Sequence, residues 1–459
     1  MNFNKSLALA TLGEHFSQQQ GVIMKAQKRF AISSVLTIAM AATTAQAFWG
    51  NNEANPILST YADIATANYS DALNDAKTMQ ATIKGFTDNP TADTMSTAKA
   101  SWLMARESYG LTEAFRLSNG PIDAEEGWHA QAYGAPEGQL NAWPLDENMI
   151  DYTTDAKGNT TSGNIIDTAG MFNPGGENPT VVNVSTITAD AIAALNENGG
   201  DANVATGYHA IEFLLWGQDQ DYANFMKDSV TNGALVAGQR TVADYTTAKN
   251  ADRRKQYLNA ASALIVSDLE AMVAAWADGD NTNYKAALLG NNSDSTKNID
   301  EKTALSQIFA GLGVFVKSEL ANERIAVAVL TPSEEDEHSC FSDNTHRDIT
   351  TNYQGFKNLI FGTYNGVSYG TAPVDAMQDK SELMALIKSA DNKVNQMNAL
   401  AQTSRHFDHQ IRPNDSQAKQ IKKLKNELRA IGDQMIYVSR ANGIDLTVGD
   451  VTDGEETKL

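Results

Sequence analysis

The sequence predicts an all-α protein made of two helical bundles. Three observations carry that prediction. Apolar residues recur at spacings of three and four along much of the chain. No alternating apolar–polar run persists long enough to read as a strand. A segment rich in Asn, Asp and Gly at 281–300 interrupts the helical pattern and reads as a linker. The expected division is a helical domain at 48–280, the linker, and a second helical domain at 301–459.

The first helix opens with Asn55 as cap and Pro56 at its first position, followed by Ile57, Tyr61 and Ile64 on one face. A second is expected over about 94–117, a third over about 189–196, and a fourth over 208–216. The fifth, 257–276, lines up Leu258, Ala261, Leu264, Ile265, Leu269 and Val273. The sixth, 304–330, is long and apolar. The last carries Ile421, Leu424, Leu428, Ile431 and Met435, a stripe suited to a bundle. Between them, 151–188 is rich in Gly, Asn, Thr and Pro and reads as a long loop.

The start of the chain reads as a targeting signal. From Met24, Lys25, Lys28 and Arg29 form a positive region, 30–42 is apolar or small, and Ala45-Gln46-Ala47 is a cleavage site. Residues 1–47 are therefore expected to be a secretory signal peptide preceded by an over-called N-terminus at 1–23. The apolar run is shorter than the roughly 20 residues that span a bilayer. The expected product is exported, and periplasmic or outer-membrane-associated.

Charge narrows the function classes. The 459 residues hold 56 Asp and Glu against 35 Lys and Arg, a net charge of -21. Removing 1–47, which carries +3, leaves -21 − 3 = -24. Such a surface opposes nucleic-acid binding, which needs cations to displace counterions. Cys340 is the single cysteine, so disulfides within the chain and Cys-rich metal sites are excluded. A lone thiol in an oxidising compartment is expected to be buried.

Three constellations carry chemistry. In Gly207-Tyr208-His209-Ala210-Ile211-Glu212, His209 and Glu212 lie three apart and share one helix face. An imidazole and a carboxylate so placed suit one transition metal ion, or a hydrogen bond inside a core helix. No H-E-x-x-H or H-x-x-E-H occurs, so a zinc peptidase would need distant ligands. Trp102, Arg106, Tyr109 and Glu113, spaced four, three and four, make a polar–aromatic stripe pointing into a site, or an amphipathic edge. The third runs from Glu334 to Asp348 and includes Glu337, His338, Ser339, Cys340, Asp343 and His346. It suits either a metal site or a capped loop, with N-cap chemistry at 342–345. His406 and His409, beside Asp408, are expected at the surface.

Taken in order, these motifs resemble the imelysin family, which includes insulin-cleaving metalloproteinase-like and iron-regulated protein A-like members. The G-x-H-x-x-E signature falls on Gly207, His209 and Glu212. A W-x-x-x-R-x-x-Y helix with a trailing E-x-F-R falls on Trp102, Arg106, Tyr109, Glu113, Phe115 and Arg116. The E-H-S-C-F-S-D-N-T-H-x-D run, 337–348, is similar to the segment of the iron-regulated members. The resemblance implies two helical bundles with a site at their interface, and a link to iron acquisition.

The reading that follows is a metal-binding protein of iron uptake. His209 and Glu212 are its expected ligands, with Gly207, Trp102, Arg106, Tyr109, Glu113, Glu337, His338, Ser339 and Asp343 as supporting residues. The expected ligand is a divalent or ferric ion, iron foremost, bare or as a chelate, with an outer- or inner-membrane transport partner. Because His must be neutral to ligate, binding should weaken below about pH 6. Two alternatives stand beside it. One is a metallopeptidase with Glu212 as general base. The other is a non-catalytic envelope interaction protein.

Overall fold

A computed structural model describes residues 54–155, 157–219, 237–330, 336–403 and 405–452. The expected signal segment, with Glu334 and Glu335, lies outside them. Helix α1, Ala54–Asp88, turns back into α2, Ala92–Thr112. The turn is closed by a reciprocal cap, in which the Thr91 and Thr94 side chains each accept the other's backbone N–H. Helix α2 stops at Thr112 and runs into a single 3-10 turn, Glu113–Phe115, shorter than the expected 94–117. Helix α3, Gly207–Trp216, is buried along its whole length against α2 and α4, Ala251–Ala275.

The second half opens with α5, which starts at Glu301–Val314 and ends at Val327–Leu330. Between them Phe315–Ala326 widens into a π-helix. Such i→i+5 stretches are rare and gather at functional sites; this one carries Glu319 and Arg324. Helices α6, Thr345–Phe361, α7, Ser381–Thr403, and α8, Ser416–Ala441, complete the set. Helix α8 packs on the π segment and on α7. Its stripe, Ile421, Leu424, Leu428, Ile431 and Met435, is fully buried, at about 1.5–3 kcal/mol for each large side chain.

The fold is all-α. Among the described residues the strands are two short antiparallel pairs, Met171–Phe172 with Val182–Asn183 and Thr363–Tyr364 with Val367–Ser368. The long segment 151–188 is irregular but tied down. Arg253 of α4 donates to the carbonyls of Ile165, Ile166, Thr168, Val184 and Ser185, which supplies partners that loop backbone would otherwise lack. The 281–300 segment carries a short buried helix, Tyr284–Leu288, and Lys285 reaches Asp63 of α1 at 2.7 Å.

Two contacts matter for the site. Helix α6 packs against α2, and α5 against α1, so the halves share one continuous apolar core from Ile57 to Val451. The α2–α6 approach is close because Gly110 has no side chain. A Cβ there would lie 2.1 Å from Thr351 Oγ1. Helix α4 and the 295–330 stretch are apolar enough to span a membrane by composition, yet 56% and 72% of their most apolar windows are buried inside the protein. They are core helices here.

Candidate functional site

The site begins at Gly207. Its φ is +83°, and a Cβ would sit 2.4 Å from the Leu140 carbonyl oxygen, so glycine is the residue that fits. That tight start seats α3 in the core and places His209 and Glu212 one turn apart. His209 Nδ1 lies 2.9 Å from Glu212 Oε2. The other oxygen of Glu212 accepts from the Ser342 N–H at 3.0 Å and the Ser342 hydroxyl at 2.7 Å.

The second half of the chain supplies the facing group. His338 Nε2 lies 3.2 Å from His209 Nε2, and the two rings stand nearly perpendicular with centroids 4.5 Å apart. His338 Nδ1 rests 2.9 Å from Asp348 Oδ2. Asp348 also accepts from the Ser339 hydroxyl and, at 2.9 Å, from Arg106 Nη2. Trp143 covers the pair, its ring 4.9 Å from His209 and 6.2 Å from His338. Trp143 is half-buried, whereas His209, Glu212, His338 and Asp348 are all buried.

Burial sets the protonation states. Desolvation pushes His209 well below its ordinary value, and His338 opposite pushes it further. Desolvation, with Arg324, lowers His338 to about 4. Desolvation raises Glu212 to about 8, with the Ser342 hydrogen bond opposing. Asp348 differs: burial raises its carboxyl, but Arg106, His338 and Ser339 outweigh that and hold it well below the usual range. At neutral pH both imidazoles are neutral, Glu212 is protonated and Asp348 is ionised. The hydrogen bonds then run one way. Glu212 donates to His209 Nδ1, His209 Nε2–H donates to His338 Nε2, and His338 Nδ1–H donates to Asp348.

Behind Asp348 lies a buried chain of alternating charge. The Arg106 guanidinium sits among the rings of Trp102, Tyr109 and Tyr208, 5.3–5.9 Å from each centroid. It donates to Asn141 Oδ1 at 2.6 Å and approaches Glu113 at 3.8 Å. Glu113 accepts from Arg324 at 3.0 Å, and Glu319 meets Arg324 and Arg116 at 2.7 Å each. Arg116 also reaches Glu137 at 3.3 Å. Unpaired, each of these buried ions would cost several kcal/mol.

The structure brings most of the expected residues together. Trp102 donates to the Tyr208 carbonyl at 2.9 Å, fixing α2 on α3, and Tyr109 packs on Tyr208. The Trp102–Glu113 stripe is wholly buried and is no amphipathic edge. Glu212 is engaged with His209 Nδ1 and Ser342, so the nitrogen that His209 turns outward faces His338 and not Glu212. Glu337 and Asp343 belong to a neighbouring group with Asp408 and His406. His409 and Asp408, expected at the surface, are buried, because the short helix Phe407–Gln410 tucks against α7 and α8. Cys340 is buried, and desolvation raises its thiol well above the ordinary value, which makes it a poor nucleophile. Trp143 escaped sequence reasoning, and Asp348 and Ser342 entered it only as members of the 334–348 run. Asp348 ends the 337–348 run and was within reach of it; Trp143 lies in a loop with no local signal. Among the described residues no three His, Cys, Asp or Glu side chains are arranged to hold a metal ion.

The imelysin family model matches residues 65–435, from α1 to α8. The chain belongs to the imelysin family. Its G-x-H-x-x-E signature therefore marks the α3 start that seats His209. A crystal structure of a protein described provisionally as an iron-regulated protein A precursor, from Parabacteroides distasonis, shares the imelysin fold of this chain with a TM-score of 0.52. The two are 17% identical, over 84% of this chain and 95% of that one. Among curated proteins none matches the chain significantly.

Proposed function

We propose that this imelysin-family chain is an exported metal-handling protein of iron acquisition, with iron as its cargo. One observation carries the reading: two neutral imidazoles present Nε2 atoms 3.2 Å apart while each Nδ1 is held by a carboxyl group, Glu212 for His209 and Asp348 for His338. Two imidazole nitrogens bound ~2.1 Å from one ion stand about 3.0–3.4 Å apart when the angle at the ion is 90–109°. A carboxylate on the second nitrogen is the usual device for orienting a ligating histidine and raising its basicity.

The protein offers two donors at this point, so the remaining positions fall to water or to a chelate that arrives with the ion. His209 and His338 are the proposed ligands, and Glu212 and Asp348 their orienting partners. The neighbour described as iron-regulated protein A supports iron as the metal. The signal-like segment at 24–47 and the acidic composition support a periplasmic site of action, with a membrane transport partner to receive the cargo. The metallopeptidase reading is not adopted, because it needs a free Glu212 oxygen to activate water and both are bound to protein groups.

The deciding experiment is metal content and affinity of the purified chain, stripped and then offered Fe²⁺, Fe³⁺ and Zn²⁺, beside His209→Ala/His338→Ala. Stoichiometric binding lost in the double variant supports the reading. Absence of binding by the wild-type chain overturns it. The exported form should begin at Phe48 by N-terminal sequencing; an uncleaved chain in the cytoplasmic fraction would overturn the periplasmic assignment.

A further inference from the structure

A pocket of about 120 Å³ opens at the C-terminal end of α3, the end away from His209. That is room for a molecule of a few heavy atoms, since a water takes up ~30 Å³. Tyr152, Thr154, Gly217, Gln218, Gln239 and Arg240 line it. Among the described residues no carboxylate does, although the chain holds 56 Asp and Glu against 35 Lys and Arg. The last carbonyls of α3, its negative end, are already taken. Phe213 accepts from the Gly217 N–H, Leu214 from the Tyr245 hydroxyl, and Trp216 from the Arg240 N–H.

Arg240 brings an unused donor edge to this pocket. Its side chain is only 2% exposed. Nη1 holds Asp151 and stands 3.6 Å from Asp244. Nε has no partner, and Nη2 has none among the described residues. These two nitrogens form the side-on fork of the guanidinium, whose parallel N–H groups match the two oxygens of a carboxylate. Elsewhere in the chain the same edge is filled. Arg254 uses it on Asp151 at 2.7 and 2.9 Å, and Arg347 uses it on Glu107 at 2.8 and 2.6 Å. On Arg240 it faces Gly217. A Cβ at Gly217 would lie 3.5 Å from Nε and 3.1 Å from the Arg240 Cβ, so the glycine leaves the fork uncovered.

The charge balance agrees. Arg240 and Arg254 meet two acids, Asp151 and Asp244, and Asp244 also accepts from the Tyr152 hydroxyl at 2.8 Å. Lys99 adds a third cation, its Nζ 5.1 Å over the ring of Trp216, the residue whose carbonyl holds Arg240. Lys99 has no acid partner among the described residues, so one positive charge is left over. A buried donor without an acceptor is costly, and a carboxylate supplies both missing acceptors at once. We infer that this pocket binds a short hydroxycarboxylate, its carboxylate on the Nε–Nη2 edge of Arg240 and its hydroxyl between Thr154 and Gln218. Gln218 Oε1 already accepts from the Thr154 N–H at 2.9 Å, which leaves the Gln218 amide NH₂ and the Thr154 hydroxyl for the guest. The site is separate from the histidine pair, and its occupancy does not depend on metal binding there.

The test is calorimetry on the purified chain with glycolate and acetate, and with glycolamide and phosphate as the uncharged and the tetrahedral counterparts. Glycolate should bind one to one, tighter than acetate, with no response to glycolamide. Arg240→Lys, which keeps a cation for Asp151 but loses the fork, should weaken it at least tenfold. Gln218→Glu, which sets a carboxylate in the pocket and still accepts from Thr154, should abolish it while thermal unfolding stays cooperative. His338→Ala should leave it unchanged. The inference is overturned if neither carboxylate binds, if glycolamide binds as glycolate does, or if Gln218→Glu binds as wild type does. It is also overturned if phosphate competes at equal concentration, which would make this a general anion site.

Discussion

His209 and His338 turn their Nε2 atoms toward each other at 3.2 Å across the junction of the two halves of the chain. Two lone pairs cannot share that gap, so a proton or a cation must occupy it. His209→Ala and His338→Ala should each lower Fe²⁺ or Zn²⁺ affinity by ~100-fold or more. Glu212→Gln and Asp348→Asn, which remove only the orienting partner, should cost about 10–100-fold. Calorimetry reads both; a His338→Ala chain with wild-type affinity would falsify the two-histidine site.

The pH dependence follows from which group holds the proton. A cation entering between the rings replaces the shared proton, His209 turns an Nδ1–H toward Glu212, and Glu212 loses its own. One proton is released. Glu212 stays protonated up to about 8 and His338 protonates only near 4. Affinity should therefore rise with pH across that window, by up to about tenfold per unit, and level off above about 8. The loss expected from the sequence, below about pH 6, is displaced because burial moves the titration from the imidazoles to Glu212. Titration in buffers of different ionisation enthalpy counts the proton; zero release would sink this account.

Arg106 and Asp348 test the buried charge chain. Arg106→Ala leaves Asp348 without its cation, while Glu113 keeps Arg324, and should destabilise by about 3–5 kcal/mol in urea unfolding. The paired replacement Arg106→Met/Asp348→Leu should recover only part of that loss, because His338 Nδ1 and the Ser339 hydroxyl lose their acceptor. A single variant as stable as wild type would mean that water reaches these ions.

Asp268 offers a stability test away from the site. Burial alone raises its carboxyl to about 7, and one of its oxygens has no partner. A folded-state value above the unfolded one favours folding below about pH 4 and loses that advantage as pH rises through about 7. Asp268→Asn should thus raise the unfolding midpoint by a few degrees at pH 8 and change it little at pH 4. A uniform shift at both would contradict the assignment.

Gly207→Ala should be among the most damaging small substitutions. It forces a side chain into positive φ and against the Leu140 carbonyl, at on the order of 2–4 kcal/mol. Thermal unfolding measures the cost, and retained wild-type stability would mean that the Leu140 turn yields.

Much of this was readable in advance where the signal is local. The α8 stripe and the His209–Glu212 spacing depend on helical period alone, whereas the expected Asn55 cap fails, since α1 already includes Ala54 and Asn55. Helix α7 is as legible, with Leu383, Ile387, Ala390, Val394 and Met397 all buried, but it is missing from the expected elements. Helix α6 is harder. Its buried face includes Asp348, Thr351, Asn352 and Gly355, so polar contacts with α2 mask the apolar period. The meeting of His209 with His338 joins positions 129 residues apart, and no spacing within either motif encodes which ring nitrogen faces which.

The α2–α6 contact also fixes how the halves mate. Consecutive residues on α2, Arg106 and Glu107, meet consecutive residues on α6, Asp348 and Arg347, with the signs reversed. Sliding one helix by a single residue would break both pairs, and would set Arg106 against Arg347 in one direction or Glu107 against Asp348 in the other. The joint works like a polarised plug that seats in one orientation, and the seat it enforces is the one that brings His338 to His209.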